Sequence, residues 1–419
     1  MTVHQGELLL FFTLLQLSII VLAGRIGGAV ALKFGQSAVV GEIILGILLG
    51  PSLFGLLAPE LFELVFRSTP PGPLSMLSQI GLIFLMFQIG QEFDFSHLKV
   101  TQHRNTMITV ALASMIVPFM LGCGFGYYAA PVLSPDANPI SSALFIGTAF
   151  SITALPILGR IMIEFGITKT AVGVIAISAA AINDVIGWVL LALVSALTLS
   201  AFSTESLIQI IGSIALYIAI CWLAIRPMMK WIIHRLGTTA EPLTGNVLGA
   251  MIVLIFLSAM TTYKIGIFAI FGGFMLGVLV HDEQAFVSAW RKKVGSFVTV
   301  FFLPIFFTYT GLRTSIGSLD TIELWGWCLL LIFLATLGKF GAAYWAARIN
   351  GLSKNECTVL GVMMNTRALM ELIVINIGLD LGVISPTVFT MLVIMAIFST
   401  VITTPVLRRK LPALGLGTC

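Results

Sequence analysis

Apolar runs of about 20 residues, separated by short polar links, repeat along the whole chain, with no sustained two-residue alternation. A run of that length suits a helix rising 1.5 Å per residue through a hydrocarbon core about 30 Å thick, whereas barrel strands run about 10 residues and alternate in polarity. The pattern predicts an all-α polytopic membrane protein with about thirteen transmembrane helices. The spans are placed at 7–24, 37–51, 74–91, 107–129, 140–163, 168–201, 206–226, 244–262, 265–280, 294–312, 323–347, 356–379 and 384–407.

The sixth run is organised around a charge. Between Lys169 and Glu205 its only charged residue is Asp184, at the centre of the span. A charge at bilayer depth costs roughly 2.5–3.5 kcal/mol on insertion scales, so an ionisable residue there is a functional candidate by default.

Two other spans are interrupted in a comparable way. Span 5 carries GTAFSITALPILGR, in which Pro156 removes a backbone donor and Ser151 and Thr153 supply hydroxyls. Span 12 carries GVMMNTRALMELIVINIG, in which Asn365, Thr366, Arg367 and Glu371 form a polar segment at mid-depth. Interrupted spans at corresponding places in two halves point to a transporter binding site. The two are an odd number of spans apart and cross in opposite directions. The chain is therefore expected to be a single membrane domain over residues 1–419 with two inverted six-helix repeats, 1–201 (spans 1–6) and 244–410 (spans 8–13), joined by span 7 within 202–243.

Charge supplies the orientation. If alternate loops are cytoplasmic, beginning after span 1, the basic residues in loops and at span ends fall on that side, Lys99, Arg160 and Lys169 among them, except Arg67, Lys264 and Arg313. The positive-inside rule then puts the N-terminus outside and the C-terminus in the cytoplasm. Lys339 and Arg367 remain, inside spans 11 and 12. Composition agrees: 58% of residues are hydrophobic and 10% charged, against about 25% charged in soluble domains. The five cysteines, Cys123, Cys221, Cys328, Cys357 and Cys419, are scattered and read as apolar packing residues with no metal site. The N-terminal run lacks a basic leader and reads as the first span. Neither a cofactor nor a nucleic-acid partner is expected; the bilayer is.

Thr153, Asp184, Lys339 and Arg367 share mid-span depth, as a common ion pathway requires. A carboxylate can hold a proton or ligate a hard cation through oxygen, and one charge does not readily satisfy both. Asp184 is thus the candidate cation and proton site, the metal in question being a monovalent cation. Asn183 beside it can give a neutral oxygen or make a helix–helix hydrogen bond. Thr153 and Ser151 can ligate a cation or cap freed backbone groups. Lys339 can pair with Asp184, neutralise helix ends at the crossing, or snorkel to the surface. Arg367 and Glu371, four apart, share a helical face and can pair. Glu42 lies in short span 2 and can line an inner funnel or bridge helices; Arg160 and Glu164 read as a solvated pair. Gly41, Gly46, Gly50, Gly272, Gly273 and Gly277 read as close-packing surfaces.

At these residues the chain resembles the monovalent cation/proton antiporter superfamily, in the branch of Kef-type potassium efflux systems, germination-type sodium antiporters and plant cation/proton exchangers. The matching stretches are VVGEIILGILLGPSLFG, IFLMFQIGQEFDF, FIGTAFSITALPILGRIM, AAINDVIGW and MMNTRALMELIVINIG, in family order over nearly the whole chain. The resemblance implies a homodimer, a scaffold of spans 1–3 and 8–10, a mobile core of spans 4–6 and 11–13, and elevator-type alternating access. Electrogenic relatives carry two adjacent aspartates at the centre; the Asn183–Asp184 pair implies electroneutral exchange of sodium or potassium for protons. The chain departs from the common family pattern at Gln88, Gln91 and Ala368. No dinucleotide-binding fingerprint follows Lys410, so no Kef-type regulatory domain is expected.

Rival readings are a channel-like potassium efflux pathway, a sodium-coupled solute symporter on the same fold, and an intramembrane hydrolase. The hydrolase, the one enzyme among them, needs two meeting carboxylates or a serine with histidine. His4, His97, His103, His234 and His281 all lie at span ends or in loops, so no enzymatic activity is expected.

Overall fold

The computed structural model describes residues 3–68, 70–91, 104–168, 170–199, 204–237 and 242–414. Lys99, Lys169, His97, His103, Cys419 and the end of IFLMFQIGQEFDF lie outside them, as do the side chains of Pro156, Arg160 and Glu164. Among the described residues every regular element is helical. Eight helices are long and apolar enough to cross a membrane, or up to ten if two bent pairs each count as one span, and three shorter apolar helices stand beside them.

The chain divides into two compact units. The first comprises Met1–Leu22, Glu60–Asp94 and Ser195–Tyr309; the second comprises Ala23–Pro59, Phe95–Val194 and Thr310–Cys419. In chain order the helices are α1 (Val3–Lys33), α2 (Ala38–Leu48), α3 (Gly72–Gln91), α4 (Arg104–Leu133), α5 (Pro139–Ser151), α6 (Leu155–Glu164), α7 (Ala171–Leu199) and α8 (Thr204–Ile220). They continue with α9 (Arg226–Leu236), α10 (Gly245–Ile265), α11 (Ala269–Leu279), α12 (Gln284–Trp290), α13 (Leu303–Leu312), α14 (Ile322–Thr336), α15 (Ala342–Ile349), α16 (Lys354–Met364), α17 (Leu369–Asp380) and α18 (Pro386–Lys410).

In the first unit α11 packs on α3 so closely that a Cβ on Gly277 would strike the Phe87 carbonyl. Phe87 stacks edge-on to the fully buried Trp290 with ring centres 4.7 Å apart. Span 7 runs beyond its expected end: a π-helical turn at Cys221–Ile225 carries α8 on into α9. Span 10 is bent by 43° between Gly295 and Val298, a break the sequence reading left out. Its residues 295 and 296 are a Gly–Ser pair, a known place for kinks.

The second unit holds the interrupted spans. Antiparallel α4 and α5 meet through small residues, where a Gly122 Cβ would press on Gly147 at 2.7 Å and a Gly126 Cβ on Ala143 at 2.7 Å. Close backbone approach of this kind replaces hydrophobic drive in a membrane. Asn138 caps α5, accepting from the Ile140 and Ser141 amides. Span 2, assigned by the resemblance to the scaffold, falls in this unit with spans 4–6 and 11–13.

Candidate functional site

The break in span 5 is three residues long, Ile152 to Ala154, between α5 and α6. Pro156 is the second residue of α6, in the first turn, where its missing N–H interrupts no helical bond. The break therefore precedes the proline. Span 12 breaks at Asn365 to Ala368, where α16 and α17 are bent by 41°.

The two breaks hold each other. The Ala154 amide donates to the Thr366 carbonyl at 3.1 Å. The Thr153 hydroxyl reaches the Met364 carbonyl at 3.4 Å. On α18, the Thr400 hydroxyl donates to the Arg367 carbonyl, and Thr403 shares a 3.3 Å hydrogen bond with Thr366. Non-helical backbone at membrane depth must find such partners, because no bulk water is there to satisfy it.

The last turn of α5 exposes carbonyls that no longer have helical donors. Arg367 donates from Nη1 to Ala149 at 3.0 Å and from Nη2 to Phe150 at 2.8 Å, and Lys339 Nζ donates to Ser151. Three successive carbonyls at the negative end of the helix dipole thus receive two buried cations. Lys339 sits in a π-helical turn, Leu337–Gly341, between α14 and α15. That turn packs on α4 through Gly338, whose Cβ would press on Pro118 at 3.0 Å. The Lys339 side chain lies at the helix end, buried and bonded to the Ser151 carbonyl. It acts on Asp184 only through space, and among the described residues Asp184 makes no ion pair.

Arg367 also pairs with Glu371, Nη1 to Oε1 at 3.1 Å, with both side chains fully buried. Glu371 lies in the first turn of α17, where the positive end of that dipole favours a carboxylate. One guanidinium therefore ties together the end of α5, the break of span 12, the start of α17 and, at 3.3 Å, the Ala335 carbonyl of α14.

Asn183 and Asp184 lie on α7, buried to 0% and 2% exposure. Asn183 donates from Nδ2 to Ser114 Oγ at 3.0 Å and to Thr153 Oγ1 at 3.4 Å. Its Oδ1 and both carboxylate oxygens of Asp184 have no hydrogen-bond partner. The hydroxyl of Ser151 turns back to the Thr148 carbonyl at 2.8 Å. The structure thus brings together Ser151, Thr153, Asn183, Lys339, Arg367 and Glu371. Glu42 is set on α2, buried, with Oε1 3.4 Å from where a Gly28 Cβ would stand on α1.

Sequence reasoning passed over Ser114, Thr400 and Thr403. A signal for the first existed: Pro118, inside α4, removes the amide that would have bonded the Ser114 carbonyl. The cluster FSTVITT on span 13 was the signal for the other two.

Residues 17–410 match the transmembrane sodium/hydrogen exchanger family. The chain belongs to that family. The chain is 40% identical over 400 residues to "Na(+)/H(+) antiporter NhaS4" of Synechocystis, covering 94% of this chain and 97% of the relative. It is 35% identical over 392 residues to "Cation/H(+) antiporter 17" of Arabidopsis thaliana, covering 94% of this chain but 47% of that protein, so it spans about half the length of the plant relative. Its fold matches the solved sodium/proton antiporter MjNhaP1 of Methanocaldococcus jannaschii with a TM-score of 0.63 at 18% identity, over 97% of this chain and 98% of that one. The family and its relatives are transporters, and the chain is a membrane transporter.

Proposed function

We propose that the chain exchanges a monovalent cation, sodium or potassium, for protons, with Asp184 as the position the two ligands share. One observation carries the reading: on α7, whose Asn183 bonds Thr153 in the break of span 5, the adjacent Asp184 is buried and among the described residues both its carboxylate oxygens are unpartnered, as is the Asn183 amide oxygen. A buried polar group left without a partner is costly, and a bound proton or cation removes that cost. A proton on Asp184 displaces the cation, and a cation displaces the proton. Competition at one carboxylate then couples the two fluxes. Relatives named as antiporters of sodium or potassium for protons agree with this class.

Asn183 adds a ligating oxygen without charge, and its amide nitrogen is fixed by Ser114 and Thr153. Because the hydroxyls of Ser151 and Thr153 already donate to backbone carbonyls, they serve first to shape the break, with their lone pairs left for a cation. Lys339, Arg367 and Glu371 balance the charge of the helix ends. With one carboxylate shared by the two ligands, exchange of one proton for one cation moves no net charge. The site crosses the bilayer by elevator-type alternating access, in a homodimer in a prokaryotic inner membrane. The N-terminus is outside and the C-terminus cytoplasmic, and Glu42 lines the inner approach. No cofactor enters the cycle.

The test is proton flux from reconstituted vesicles on adding sodium, potassium or lithium in turn. Asp184→Asn is expected to abolish exchange; full activity in that variant overturns the assignment. Cation flux without proton movement would mark a channel-like pathway instead, and sodium-dependent uptake of an organic solute a symporter.

A further inference from the structure

Where α1 ends and α18 ends, the second unit holds a cavity of about 370 Å³ whose lining includes Phe34, Gly35, Gln36, Thr404, Arg408 and Arg409. Its walls are built by two local exceptions. Gly35 has a φ of +68°, which favours glycine, and the Arg408 guanidinium lies so close to it that any Cβ would collide. Pro405, inside α18, removes the amide that would have bonded the Val401 carbonyl, and Gln36 Nε2 donates to that carbonyl instead at 3.1 Å. The same bond fixes the Gln36 amide and leaves its Oε1 buried with no hydrogen-bond partner.

The cavity therefore offers two guanidiniums and one acceptor. Among the described residues no carboxylate pairs with Arg408 or Arg409. Paired guanidinium forks match the oxygens of a phosphate, and an unpartnered amide oxygen seeks a hydroxyl donor. Phe34 stands beside them 79% exposed, and Lys33 and Lys410 add charge at the same end of the spans. An exposed aromatic ring next to clustered cations at a membrane face is the chemistry of a lipid headgroup region.

We infer that this cavity binds the phosphate of an anionic phospholipid whose headgroup carries a free hydroxyl. The phosphate lies between Arg408 and Arg409, and the hydroxyl donates to Gln36 Oε1. The site is not remote from the candidate transport site. Thr404 lines the cavity, its neighbour Thr403 bonds Thr366, and Thr400, one turn away, bonds the Arg367 carbonyl. A bound lipid thus steadies the helix that holds the break of span 12.

Native mass spectrometry of the full chain, purified with phosphatidylglycerol added, reads binding directly, and stands or falls independently of the antiport assignment. The wild type and Lys354→Gln, an exposed basic residue elsewhere, are expected to retain a phosphatidylglycerol adduct. Arg408→Gln with Arg409→Gln is expected to lose it at least several-fold, and Arg408→Lys with Arg409→Lys to retain it partly. Cation flux in phosphatidylcholine vesicles is expected to rise several-fold on adding phosphatidylglycerol in the wild type and in Lys354→Gln, and not in the glutamine double variant. Equal retention by the glutamine double variant and the wild type overturns the proposal, as does loss from Lys354→Gln. Replacement of the lipid effect by inorganic phosphate overturns the lipid as the source.

Discussion

Lys339 donates to the carbonyl of Ser151, the last residue of α5, and not to the carboxylate of Asp184. The lysine nearest the candidate site thereby completes a helix end and leaves Asp184 unpaired. A lysine bonded to Asp184 would compete with the cation; one held on a backbone carbonyl lowers the cost of the buried charge through space while both carboxylate oxygens stay open.

Lys339→Gln is expected to cost stability as well as transport. It removes a buried charged hydrogen bond, worth about 1.5–3 kcal/mol, and leaves the Ser151 carbonyl with a weaker donor. Thermal unfolding of the purified protein should fall by several degrees even with Asp184 intact. An unchanged unfolding temperature would show that the helix-end bond contributes nothing.

Arg367 and Glu371 form a buried pair in which the arginine has more partners than the glutamate. Removing one member of a buried pair typically costs about 3–5 kcal/mol. Arg367→Ala should therefore destabilise more than Glu371→Gln, because it also strips the donors from Ala149 and Phe150. A double-mutant cycle on thermal unfolding measures this; equal losses from the two single variants would contradict it.

Ser114→Ala should weaken cation binding without unfolding the protein. The substitution removes the 3.0 Å partner that fixes the Asn183 amide nitrogen. At about 0.5–1.5 kcal/mol per hydrogen bond, the half-saturating cation concentration should rise roughly 2- to 12-fold with the maximal rate little changed. A lowered maximal rate at constant half-saturation would place Ser114 outside the site.

The fold and the centre of the site were legible because charge in an apolar run is a loud signal. Asp184, Lys339, Arg367 and Glu371 are improbable in spans 6, 11 and 12, and the polar and proline residues marked both breaks. The partners of those charges were not legible. Lys339 and Arg367 turn to main-chain carbonyls of Ser151, Ala149 and Phe150, groups every residue carries and no sequence distinguishes. Ser114 and Thr400 each bond a carbonyl of their own helix, as hydroxyls in apolar helices commonly do, and Pro118 and the FSTVITT cluster mark their surroundings without naming the groups they reach across to. The bend in span 10 lacked any buried charge to announce it.

Asp282, in the turn between α11 and α12, gives a pH prediction outside the spans. Partial burial pushes its carboxyl up, but hydrogen bonds and charge from Lys230 and Arg226 outweigh that and hold it below its ordinary value of 3.8. A lowered carboxyl contributes stability above its unfolded value and loses it as the pH falls through the folded one. The group is about a third exposed, 36% for the side chain, so the contribution is about 1 kcal/mol or less. Asp282→Asn should lower the unfolding temperature slightly at neutral pH, with the gap to wild type closing as the pH drops below 3.8. A gap that persisted in acid would assign the effect to packing.

Asn183→Asp tests the charge balance of the proposed cycle most directly. The resemblance implies that electrogenic relatives carry two adjacent aspartates where this chain has Asn183 and Asp184. A second carboxylate there adds one titratable charge beside a site whose cations, Lys339 and Arg367, are already committed to the carbonyls at the end of α5. With those two cations so committed, the added carboxylate should take up a proton of its own during the cycle. Exchange by the wild type is expected to be indifferent to an imposed membrane potential, whereas the variant should be driven by it and pass current on a solid-supported membrane. Each unit of charge moved at 100 mV adds about 2.3 kcal/mol of drive, enough to change initial rates several-fold. Potential-driven exchange in the wild type would mean that a second group, with Lys339 the first to examine, already titrates alongside Asp184.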